Sequence, residues 1–121
     1  MSDTFPVIAA AALATVREIT ETNLMAEALE KEALVREHLV HPLIEEIRGK
    51  GLMLAAMTSS ADITNDVILR CQDHGLILFW LLFEPKAIRI TPPLTISKNE
   101  IIEGCNIILS VLNEISNEQT L

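Results

Sequence analysis

Residues 76–83, LILFWLLF, are followed after Glu84-Pro85-Lys86 by AIRIT, residues 87–91, and this pairing constrains the fold more than any other stretch of the chain. Two β-prone apolar runs separated by so short a polar break pair as antiparallel neighbours, because a parallel pair needs a crossover of roughly a dozen residues or more. Glu84-Pro85-Lys86 reads as the turn. The first run is apolar throughout, which predicts a strand buried on both faces. The rest of the chain must supply what covers this sheet.

Residues 6–19 are rich in alanine and apolar around most of a helical circumference, the pattern of a buried helix. Thr22 and Asn23 offer an N-cap for a second helix, in which Leu24, Ala28, Leu29, Val35 and Leu39 recur at helical spacing up to His41-Pro42, either separate from the first or continuous with it. Residues 44–57, IEEIRGKGLMLAAM, predict one strand entered through a glycine turn or bulge. Asp62 can cap a helix running to about His74, with Gly75 as its left-handed C-terminal stop. Ser97 and Glu100 form a Ser-x-x-Glu capping box before a last helix carrying Ile101, Gly104, Cys105, Ile108, Val111, Leu112 and Ile115 at helical spacing. The order is an α+β, two-layer domain over residues 1–121: a small, mainly antiparallel sheet with helices packed on one face, preceded by a long helical segment.

A chain of 121 residues is the size of one domain, yet half of this one is apolar and only 3% aromatic. That excess points to a face that meets another protein surface. A net charge of −8, with nine Lys and Arg scattered along the chain, excludes a phosphate-backbone binder. Cys71 and Cys105 lack zinc or disulfide spacing, which suits a reducing cytoplasm. The apolar N-terminal run has no basic flank and falls short of the roughly 20 apolar residues of a membrane span, so it is read as neither a signal peptide nor an anchor.

Arg89 alternates with Ile88 and Ile90, so its side chain leaves the strand on the opposite face. It is either an ordinary solvated arginine or a carboxylate clamp, a planar fork of donors made rigid by Pro92 and Pro93. The other candidates read as structural. His38, His41 and His74 sit at helix ends, where capping accounts for them and no metal set emerges. Glu45 and Glu46 belong to a solvated turn, and Cys71 and Cys105 act as small hydrophobes. Ser59-Ser60 lacks the glycine pattern of a nucleophile elbow. Lys31, Lys50, Lys86 and Lys98 fall in turns or polar helix positions, none desolvated enough for an activated amine. These residues alone do not make an active site.

Three segments carry a resemblance: HPLIEEIRGKGLMLAAM, RCQDHGLILFW and AIRITPPLTISKNEIIEGCNIILSVL. Together they resemble the C-terminal part of the class III aminotransferases, the pyridoxal-phosphate enzymes that include ornithine, acetylornithine and 4-aminobutyrate aminotransferases. The resemblance implies a fold type I architecture, whose small C-terminal domain closes over substrate held by a large cofactor-binding domain. It gives the arginine of Arg-x-x-Pro-Pro-Leu, here Arg89, the carboxylate of an amino-acid or 2-oxo-acid substrate. Family members also place a threonine before the alanine-rich helix on the cofactor phosphate of the neighbouring subunit. Thr4 matches it, but the Gly-Gly that follows in the family is missing, which weakens the assignment. The aldimine-forming lysine lies upstream in the family. The resemblance therefore implies that these 121 residues alone neither retain pyridoxal phosphate nor transaminate, and that their partner is a large cofactor-binding domain or a second copy in a homodimer. The alternative is a non-catalytic interaction or small-acid-binding module of the same descent.

Overall fold

The computed structural model describes the backbone of residues 7–119 and the side chains of residues 23–119. Helix α1, Val7–His38, runs without a break. Thr22 and Asn23 do not interrupt it, because a residue of modest helix propensity costs only about 0.5 kcal/mol inside a segment otherwise rich in Ala, Leu and Glu.

Strands β1, Ile44–Lys50, and β2, Met53–Thr58, stand where one strand was predicted. They pair antiparallel around Gly51-Leu52, with a bulge between Ile44 and Glu46. Periodicity missed β1 because it is an outer strand, with only Ile44 and Ile47 packed against the core. Glu45 and Glu46 thus belong to an edge strand and not to a turn. Gly49 is obligatory here: at φ +108 a Cβ would lie 2.1 Å from the Met53 carbonyl oxygen.

Helix α2, Ala61–Asp73, is capped by Ser60, whose Oγ accepts from Ile63 N at 3.2 Å. Asp62, predicted as the cap, lies in the first turn, where its charge complements the helix dipole. The far end closes as predicted at Gly75 (φ +85), with Gly75 N donating to Gln72 O and Leu76 N to Cys71 O.

The apolar run at 76–83 yields a short strand β3, Phe79–Leu81, and the turn falls at Leu82-Phe83. Glu84-Pro85-Lys86 opens strand β4, Glu84–Ile90, before pairing with β2 begins at Ala87, so Pro85 removes no ladder hydrogen bond from that side. Phe79 and Trp80 are half exposed, Leu82 is 77% and Phe83 95% exposed. The prediction of two-sided burial fails because β3 is an outer strand and no described element covers its second face.

The sheet order is β1-β2-β4-β3, antiparallel throughout. Helix α3, Lys98–Gln119, starts at the predicted capping box: Glu100 N donates to Ser97 Oγ at 3.1 Å, and Ser97 N to Glu100 Oε1 at 3.0 Å. Leu54, Ala56, Ile88 and Ile90 of the sheet meet Val67 and Ile68 of α2, Ile108 and Leu112 of α3, and Val35 and Leu39 of α1. The helices occupy one face, as the two-layer reading requires. Thr58 and Thr64 are the buried hydroxyls of this layer; they bond each other at 2.8 Å, and Thr64 also donates to Lys86 O.

Polar side chains of α1 fix the outer hairpin. Arg36 donates to the carbonyls of Ile47 (2.6 Å) and Gly49 (2.9 Å), while Glu32 accepts from Gly51 N at 2.5 Å and pairs with Arg36. These contacts satisfy part of an exposed strand edge. They also hold the Glu32 carboxyl below its usual range, the Gly51 N–H contributing most.

Candidate carboxylate site

The face of the sheet turned away from the helices carries one cross-strand row. Register sets Arg48 opposite Ala55, Ala55 opposite Arg89, and Arg89 opposite Phe79. Directly opposed residues point to the same face, so two guanidiniums flank a single methyl group, on strands roughly 10 Å apart. Met53, Met57 and Leu81 complete an apolar floor, and Glu84 and Thr91 close the rim of a cleft of about 300 Å³.

Within this cleft Arg89 is set apart by what it lacks. Arg36 and Arg48 each bond a carboxylate, and Arg70 pairs with Glu114 and Glu118. Arg89 has no carboxylate and no hydrogen bond among the described residues, and its Nε is buried without a partner. A buried donor left unmade is costly, on the order of 1–3 kcal/mol. Phe79 offsets part of this cost, with its ring centroid 5.0 Å from Arg89 Cζ, a cation–π contact. The site is therefore a guanidinium fork that makes no ion pair among the described residues, over an apolar floor, which suits the carboxylate of a small organic acid.

The sequence singled out Arg89 but not Phe79 or Arg48. Pairing register was the missing information. Arg48 sits at the cleft's exposed side, held by Glu46 at 2.6 Å.

The remaining candidates lie elsewhere. His41 falls in the connection after α1 and not at a helix end; its Nδ1 accepts from Leu43 N, leaving Nε2–H to donate to Asn113 Oδ1 at 2.8 Å. His38 ends α1, and His74 is the C-cap of α2. Among the described residues no group of His, Cys, Asp and Glu could hold a metal ion. Burial pushes the thiols of Cys71 and Cys105 up to about 11, which leaves them inert. Ser60 is spent as a helix cap. Thr4 lies outside the described residues.

One lysine departs from its prediction. Lys31, expected at a polar helix position, is buried at 7% exposure and donates from Nζ to Leu94 O at 2.9 Å. Lys98 is paired with Glu30, and Lys50 and Lys86 are exposed. None of the four lines the Arg89 cleft.

The family described as Aminotransferase class-III matches residues 3–112. The acetylornithine aminotransferase of Bacillus subtilis is 37% identical over 99 residues, covering 78% of this chain and 25% of that protein. The leucine/methionine racemase of Thermococcus litoralis is 36% identical over 112 residues, covering 82% of this chain and 25% of its own length. Among solved structures, the ornithine aminotransferase of Toxoplasma gondii superposes with a TM-score of 0.71 at 25% identity, covering 90% of this chain and 27% of that one. The chain thus spans about a quarter of the length of the curated relatives it matches. With the family match over most of its residues and relatives at these identities, the chain belongs to the class III aminotransferase family.

Proposed function

We propose that these residues act as the small C-terminal domain of a class III, pyridoxal-phosphate-dependent enzyme, and that Arg89 binds the carboxylate of an amino-acid or 2-oxo-acid substrate. The unpaired guanidinium of Arg89, with its buried and partnerless Nε, carries this reading. Amino-group transfer is the reaction we favour, although a relative matched over the same region is a racemase. That contrast fits a region that grips the acid and leaves the choice of reaction to residues outside it.

The uncovered sheet face, with half-exposed Phe79 and exposed Met53, supports packing against a large cofactor-binding domain as the sheet closes over substrate. We further propose that the 121 residues alone do not transaminate, because no lysine lines the Arg89 cleft. Two free, buried cysteines suit the cytoplasm, and among the described residues no helix is long and apolar enough to cross a membrane.

The test is a calorimetric titration of the chain with pyruvate, a simple 2-oxo acid. Saturable binding that Arg89→Gln abolishes is the expected result; binding indifferent to this substitution overturns the reading. Pyridoxal phosphate added with borohydride should label Lys50 and Lys86 weakly and leave Lys31 untouched. One stoichiometric adduct would restore the chain as an enzyme in its own right.

A further inference from the structure

Lys31 is the charged side chain that the fold explains least. The residue is only 7% exposed, yet among the described residues it pairs with no carboxylate, and its one hydrogen bond goes to the backbone carbonyl of Leu94. Burying an ammonium without a counter-ion is unfavourable, and an apolar residue would fill the same space more cheaply. The position of that carbonyl suggests what the ammonium is for.

Leu94 lies in the connection from β4 to α3, five residues after Arg89. In this segment Ile96 packs against the core, while the stretch around Leu94 is held less. Thr91, Pro93 and Leu94 are exposed, and its one internal backbone hydrogen bond runs from Ile96 N to Pro93 O. Behind it lies an apolar cleft of about 350 Å³, lined by Val35, Leu39, Pro92, Pro93, Ile96 and Ile101, so packing leaves room for the stretch from Pro92 to Leu94 to shift. Helix α1 tethers it at two consecutive residues: Lys31 grips Leu94 O, and Glu30 pairs with Lys98 at 2.9 Å where α3 begins. Pro92 and Pro93 have fixed φ, so a displacement at Leu94 is passed back toward Thr91, which forms the rim of the Arg89 cleft.

We infer that Lys31 is a positioning residue for carboxylate binding: from α1 it holds the Pro92–Pro93–Leu94 segment and so sets the wall beside Arg89. The inference rests on the proposed role of Arg89 and is tested separately from it.

The experiment compares pyruvate affinity and the Arg89 Nε–H resonance in the parent chain, Lys31→Met and Val111→Ala. Val111 is buried on α3 away from this connection and serves as a stability control. Lys31→Met should weaken pyruvate about three- to tenfold and move the Arg89 resonance, whereas Val111→Ala should lower Tm without either change. Should Lys31→Met fail to fold, Lys31→Gln, which keeps a donor at shorter reach, takes its place with the same expectation. Parent-like affinity in the lysine variant, or losses that merely track Tm in both variants, would overturn the inference while leaving Arg89 as the clamp. Absence of Arg89-dependent binding in the parent chain would remove both.

Discussion

Arg89 and Phe79 face each other across the β3–β4 pair, with the guanidinium carbon 5.0 Å from the ring centroid. The relationship sets the guanidinium against an aromatic ring without spending any of its N–H groups. Phe79→Leu should therefore weaken carboxylate binding by about two- to fivefold, the equivalent of a half-exposed cation–π contact of about 0.5–1 kcal/mol. The check is a pyruvate titration against the parent chain. An unchanged affinity would mean that the strand alone orients Arg89.

The β1–β2 hairpin depends on Gly49. Alanine there would drive its Cβ into the Met53 carbonyl oxygen, whereas at Gly75 the added methyl meets no atom within 4 Å. Gly75→Ala should cost about 1–2 kcal/mol from the left-handed backbone alone, and Gly49→Ala distinctly more. Urea unfolding of both variants measures the difference.

Acid should loosen the grip of α1 on this hairpin. Glu32 is held below its ordinary value of 4.5 by the Gly51 N–H and by Arg36. A carboxyl depressed in the folded state contributes stability that is fully present above its unfolded pKa and is lost as pH falls through the folded one. Glu32→Gln should flatten the acid limb of a Tm-against-pH curve below about pH 4.5 and leave its neutral slope unchanged.

Both thiols should be silent in the native chain. With Cys71 and Cys105 pushed up to about 11, only about one thiol in a thousand is ionised at pH 8. A disulfide reagent should react slowly until denaturant is added, and then with both sulfurs.

Much of this domain was legible because its signals are local. The Ser97–Glu100 box, the Gly75 stop and the spacing of Ile101, Cys105, Ile108 and Leu112 depend on neighbours within one or two helical turns, and the structure keeps each of them. Arg89 between two buried isoleucines followed from the two-residue period of a strand.

What failed depended on partners distant in sequence. The extent of β3, the identity of β1 and the site of the β3–β4 turn are settled by which strand lies outermost in the sheet, and no periodicity records that. Lys31 looked like any polar helix residue because the group it bonds, Leu94 O, lies 63 residues away. The sequence by itself determined the last helix with its Ser97–Glu100 cap, the Gly75 stop of α2 and the face on which Arg89 stands, because these follow from short-range sterics and hydrogen bonding. Only the tertiary structure decided that Phe79 would meet Arg89, that Arg48 would share its cleft and that none of the described carboxylates would pair with it, because cross-strand register brings those groups together.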